Sequence, residues 1–291
     1  MLQLHYMATL ISIGQVLDHS LEHCRKHYKE LLAIVLWMVA ASVPTVASKL
    51  VALTDTDQAL TNGDWLSFSL ALLGALLAGV VSFWMYATLT SAIADQAANK
   101  RINLSQLYHA GWNVFWKYLG LTILIGLIFL GLSLMTLPGL ILLLIGASPA
   151  VSSVFSGLGL PLLFIGGLAS LAMVIKLTVQ LAFSPFILLL EKRSIIDSIT
   201  GSMALVRGRW WATLLRFAIP KIIYFLAFFV IGFVVFQAIA LLMTVLSTSS
   251  QAAVMIIYTL TLFLSVLLSV IVVPFIVATD YYLYDSLQKT R

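Results

Sequence analysis

Residues 160 to 190 read LPLLFIGGLASLAMVIKLTVQLAFSPFILLL, with a single charged side chain, Lys176. A helix needs roughly 20 apolar residues to cross about 30 Å of hydrocarbon, so this run is long enough to span a membrane. Five further runs share the pattern: Leu31 to Leu53, Leu66 to Ala94, Leu119 to Gly146, Ala212 to Leu246 and Ala252 to Tyr282. Across the 291 residues, 62% are hydrophobic and 9% charged, and the mean hydropathy is +1.07. Soluble domains carry about a quarter charged residues. This chain has too little polar surface to cover a water-soluble globule of its length, so the bilayer is its solvent. The reading is an all-α polytopic membrane protein, a single integral membrane domain with six spans arranged as three hairpins.

Several runs exceed the minimum length, which predicts tilt, kinks or ends that project into the headgroups. Pro44, Pro138, Pro161, Pro185, Pro220 and Pro274 lie in or at the ends of the runs. Each removes a backbone donor and can kink a helix. In the third run, Leu137-Pro138-Gly139 is a candidate break that leaves Leu140 to Ile145 as a short re-entrant or extended piece.

Lys and Arg placement sets sidedness. Arg25, Lys26 and Lys29 precede the first span, and Lys100, Arg101 and Lys117 lie between the second and third. Lys192, Arg193, Arg207, Arg209, Arg216 and Lys221 lie around the entry to the fifth, and Lys289 and Arg291 end the sequence. The opposite connections hold Lys49 beside Asp55, Asp57 and Asp64, and two stretches, 147–159 and 247–251, carry no charge. This asymmetry predicts that both termini are cytoplasmic. Met1 to Ile13 lack Lys and Arg, which argues against a cleaved signal peptide. One cysteine, Cys24, excludes an intramolecular disulfide. The net charge of +5 is dispersed, so no nucleic-acid surface is expected.

Three segments ahead of the hairpins begin alike: Ser12-Ile13-Gly14-Gln15, Asn103-Leu104-Ser105-Gln106 and Ser194-Ile195-Ile196-Asp197. Each pairs a capping residue with a polar side chain three positions later, close to the pattern that satisfies free amides at a helix start. They recur 91 residues apart both times, which predicts repeats over about 12–102, 103–193 and 194–291. Ile13, Leu17, Leu21, Cys24 and Tyr28 share one helical face, as do Ile195, Ile199, Met203 and Val206. Such stripes with cationic flanks suit amphipathic helices in the cytoplasmic interface, one leading each hairpin. Tyr28, Trp116, Arg207, Arg209, Trp210 and Trp211 are the expected interfacial anchors.

Few residues point to chemistry. Lys176, with Gln180 one turn later, is the candidate ligand-binding pair, for an anion or a proton, against a snorkelling lysine. His19, His23 and His27 recur every four residues and form a metal candidate, against a solvated polar face. Asp280, Tyr281, Tyr282, Tyr284 and Asp285 suit an aromatic belt with polar caps at the membrane exit. Gln237 is expected to donate between helices, and Gly74, Gly79, Gly166 and Gly167 to let helices approach closely. No nucleophile–base pair, phosphate loop or zinc-protease helix is present, and no cofactor is expected.

The stretch Leu181 to Phe217, LAFSPFILLLEKRSIIDSITGSMALVRGRWWATLLRF, resembles the motif of YciC-like uncharacterised bacterial inner-membrane proteins. It is similar, too, to the membrane domain attached to some glycerophosphoryl diester phosphodiesterases. The matching positions look like Pro185, Glu191, Ser202, Arg207 and Trp210, with Leu137-Pro138-Gly139 and Tyr284-Asp285 similar elsewhere. No phosphodiesterase catalytic domain accompanies them, so hydrolase activity does not carry over. The resemblance implies a membrane component tied to envelope or lipid physiology. The sequence therefore points first to a non-catalytic protein that organises membrane lipids, or protein partners at the cytoplasmic face. A small-molecule or lipid transporter using Lys176 is the alternative, and an intramembrane enzyme the third.

Overall fold

The computed structural model describes residues 10–54, 62–146, 152–246 and 251–290. Asp55, Asp57 and the uncharged stretches 147–151 and 247–250 lie outside the described residues. Every regular element described is helical: α1 (Ile13–Lys26), α2 (Tyr28–Ala41), α3 (Val43–Thr54), α4 (Asn62–Ala97) and α5 (Leu104–Ser133). After a 3-10 turn, Leu134–Thr136, come α6 (Leu137–Gly146), α7 (Ser152–Leu181), α8 (Ser184–Leu190) and α9 (Ile195–Val206). The last three are α10 (Trp210–Leu246), α11 (Gln251–Ile271) and α12 (Val273–Lys289). Among the described residues, six helical stretches are long and apolar enough to cross a membrane: Tyr28–Val51, Trp65–Ala97, Leu104–Gly146, Gly157–Leu190, Trp210–Leu242 and Ile256–Lys289. The chain is an all-α, multi-pass membrane protein.

The prolines act unequally, and position explains why. Pro44, Pro185 and Pro274 each follow a break that divides a span into α2–α3, α7–α8 and α11–α12. Each stands at the second residue of the new helix, where a missing N–H costs little. Pro161 and Pro220 sit inside α7 and α10 without ending them. Around Pro138 the expected break does occur, as the 3-10 turn, but the piece beyond it is a ten-residue helix packed along α7. Glycine makes that approach feasible. A Cβ on Gly139 would collide with the backbone of Leu163, and one on Gly166 would stand 2.5 Å from the Met135 carbonyl oxygen. Gly74 does the same for α4 against Thr45 of α3. Gly79 and Gly167 face open space, so they do not serve the packing expected of them. Gln237 is exposed on α10 and makes no hydrogen bond among the described residues.

The contacts define two compact units, one of Met1–Phe115 with Leu215–Arg291 and one of Trp116–Leu214. In the first, α2 packs on α4 and α11, and α1 lies along α12. In the second, α9 lies against α7 and α8. The three leading segments differ in how far they separate from the spans. α1 opens with the anticipated capping box: the Ser12 hydroxyl accepts from the Gln15 amide, and Gln15 Oε1 accepts from the Ser12 amide. It ends at His27, where φ −115° and ψ 22° divide it from α2. α9 opens with Ser194 accepting from the Asp197 amide, and ends in a turn with Gly208 at φ +82°. That left-handed turn suits a glycine and lets the chain re-enter as α10. The middle segment is different. Asn103 accepts from the Ser105 amide, and α5 runs unbroken from Leu104 into the span.

Candidate functional site

The buried faces of α1 and α9 include polar side chains. On α1 the buried residues are Val16, Ser20, His23 and Cys24, while Leu21 is exposed, as is Tyr28 at the start of α2. On α9 they are Ser198, Ser202, Leu205 and Val206. The apolar stripes thus turn partly outward, where lipid can meet them, and serines pack inward.

Ser202 shows the purpose. Pro185 ends the regular ladder of α7, which leaves backbone groups at the break without their usual partners. The fully buried Ser202 hydroxyl donates to the Gln180 carbonyl at 2.6 Å and accepts from the Phe183 amide at 3.2 Å. It therefore closes the break from a neighbouring helix. Ser20 holds the matching place on α1, eight residues past its cap, and its hydroxyl lies 2.6 Å from the Tyr224 hydroxyl of α10.

Beside Ser20, α1 meets α4 and α12 through His23. Its Nε2 lies 2.8 Å from Gln96 Oε1 and its Nδ1 lies 3.0 Å from the Tyr282 hydroxyl. Gln96 Oε1 only accepts, so Nε2 carries the proton and Nδ1 accepts from Tyr282. Both nitrogens are thereby occupied, and His23 is buried. This corrects the solvated-face reading of the three histidines. His19 is exposed with its ring 5.5 Å from that of Tyr282, and His27 is half-buried. Among the described residues no group of three His, Cys, Asp or Glu is placed to hold a metal ion. Burial lowers the His23 pKa below its ordinary value; the hydrogen bond to Gln96 opposes this, and the charges of His27 and Lys26 add to it. A depressed histidine favours the fold in its neutral form. That stability is present above the unfolded value near 6.5 and is lost as pH falls through the lowered folded value. We expect the thermal midpoint of the detergent-solubilised protein to fall between about pH 7 and pH 5. His23→Gln should flatten this dependence, and an identical pH profile in the variant would contradict it.

A second polar contact ties α10 to α12. Lys221 Nζ lies 2.9 Å from Asp280 Oδ1 and 3.1 Å from the centre of the Phe217 ring, and both charged groups are largely buried. The segment before α1 is held close by. The Ile11 amide donates to the Ser286 hydroxyl, and Arg216 Nε donates to the Ile11 carbonyl at 2.6 Å. The Asp280–Asp285 cluster is therefore not a simple aromatic belt: Asp280 and Tyr284 are buried, and Tyr282 engages His23. Two adjoining clefts open on this assembly. One, of about 740 Å³, is lined by Gln15, His19, Tyr281, Asp285, Ser286 and Lys289 among others. The other, of about 280 Å³, reaches from His19 and Glu22 to Gln96 and Asn99.

The remaining candidates are dispersed. Lys176 is exposed on α7, its carbonyl accepting from Trp210 Nε1 at 3.3 Å, and Gln180 is half-buried. Neither lines the clefts just described. Tyr28 is exposed, and Trp116 and Trp211 are each 72% exposed, the values expected of side chains that meet headgroups. Arg207 is exposed at the end of α9, Arg209 is half-buried, and the rings of Trp210 and Trp211 meet edge-on at 4.7 Å.

No family model, curated protein or solved structure matches the chain.

The pairings Lys221–Asp280 and His23–Gln96–Tyr282 were not readable from spacing. Asp280 itself gave a signal: an acid inside an apolar run marks a buried partner or a site.

Proposed function

We propose that this chain is a non-catalytic component of a bacterial inner membrane that organises anionic lipid, or protein partners, through its interfacial segments. The observation that carries this reading is the outward presentation of aromatic and cationic groups near the connectors, foremost Arg207 and Trp211, exposed on either side of the Gly208 turn. Amphipathic segments of this kind bind by apolar burial plus attraction to anionic headgroups. The Lys and Arg asymmetry supports cytoplasmic termini. The matched caps at Ser12 and Ser194, with inward serines eight residues later, support descent from a repeated helix-plus-hairpin unit. The likeness of Leu181–Phe217 to YciC-like proteins agrees with an envelope role. Lys176 lends transport no separate support, since its side chain is exposed on α7 rather than set among polar groups.

The test is extraction from bacterial membranes in polymer nanodiscs, followed by lipid and protein analysis. The reading expects enrichment of anionic lipid or a specific co-isolated protein, reduced by Arg207→Gln with Trp211→Ser. A lipid composition equal to the bulk membrane, with no protein retained, would refute it.

A further inference from the structure

A cleft of about 510 Å³ in the 116–214 unit is lined by Lys117, Lys192, Arg193, Ser194, Ile195 and Ile196. We infer that this cleft binds the phosphate of an anionic phospholipid between Lys117 and Lys192. The inference rests on the lipid-organising reading above and names its site.

Two elements far apart in sequence supply the cations. Lys117 belongs to α5; Lys192 stands at the turn between α8 and α9. Ile195 joins them, because it seats against α5 so closely that a Cβ on Gly120 would stand 3.1 Å from its Cδ1. Gly120 is one turn from Lys117 on the same helix face. Lys192 adopts φ +55°, a conformation unusual outside glycine, and it remains exposed there.

The acids nearby are already engaged. Glu191 Oε2 pairs with Arg193 Nε at 2.7 Å, and Asp197 Oδ2 accepts from the Ser194 hydroxyl at 2.6 Å. Lys117 and Lys192 make no ion pair among the described residues. Two lysines without acids, directed to one cleft, call for an anion. The rim decides in favour of lipid over a soluble anion. Ile195 and Ile196 both line the cleft, and Ile196 is 69% exposed. A free phosphate offers these side chains nothing, whereas a glycerolipid places its phosphate at the lysines and its apolar portion at the rim.

Detergent-solubilised full-length protein titrated with phosphatidylglycerol and, separately, phosphatidylcholine tests this, with bound lipid counted by native mass spectrometry. Wild type should retain phosphatidylglycerol preferentially. Lys117→Gln with Lys192→Gln should weaken that retention on the order of ten- to thirtyfold. Lys117→Arg with Lys192→Arg should preserve it. A selective wild type whose selectivity survives Lys117→Gln/Lys192→Gln overturns the site but leaves the broader reading intact. A wild type without preference overturns the site and the lipid arm of the broader reading, leaving only its protein-partner arm. Displacement of the lipid by millimolar inorganic phosphate would make the site one for a soluble anion and overturn the lipid assignment.

Discussion

Asp280→Ala should destabilise the protein by about 3–5 kcal/mol, measured as unfolding in mixed detergent micelles. The reason is the Lys221 ammonium, left over the Phe217 ring without its carboxylate partner. Breaking a buried ion pair from one side costs more than removing it entirely, because the remaining charge keeps its desolvation penalty. Lys221 retains 24% side-chain exposure, so partial escape to water sets the lower end of the range. Lys221→Met combined with Asp280→Leu should recover most of the loss. A double variant as unstable as Asp280→Ala, or a silent Asp280→Ala, would show that the pair does not join α10 to α12 as described.

Gly139→Val should be comparably damaging, by about 3 kcal/mol, at the top of the usual range for overpacking. A side chain at this position meets the Leu163 backbone, which cannot rotate aside as a side chain can. Relief requires α6 and α7 to separate along their length, and without a hydrophobic driving force between helices in lipid, that close packing is what holds them together. Gly167→Val supplies the control, since nothing lies within 4 Å of a Cβ there. The same unfolding assay should place Gly167→Val within about 0.5 kcal/mol of wild type. Equal behaviour of the two variants would mean that α6 does not lie on α7.

These two positions illustrate what the sequence discloses. The spans were plain, because a run such as Leu160–Leu190 has no soluble alternative. The breaks at Pro185 and Pro274 and the caps at Ser12 and Ser194 were readable, because each depends on neighbours in sequence. The third span was read from Leu119, yet α5 begins at Leu104: the polar stretch around Asn113 and Lys117 lowers hydropathy without interrupting a helix. What packs inward on α1 and α9 is hidden for a different reason. Periodicity finds an apolar stripe but cannot tell whether protein or lipid covers it, since both are apolar surroundings. The burial of Ser20 and Ser202 follows from partners on Tyr224 and at the α7–α8 break, neither of which local pattern reveals. Of the glycines, Gly166 and Gly167 are neighbours in sequence, and only the three-dimensional path of α6 distinguishes them.

Which ends of the helices share a side of the membrane decides whether the cationic connectors can act together. Single cysteines at positions 29, 101, 193 and 289, and separately at 57, 149 and 249, would be labelled in intact and permeabilised cells with a membrane-impermeant maleimide. The native Cys24 should stay silent, since it is buried and burial pushes its thiol up to about 12, far above the labelling pH. The first four positions should react only after permeabilisation and the last three without it. Labelling of position 149 from the same side as position 193 would contradict the arrangement of spans from which the functional reading is built.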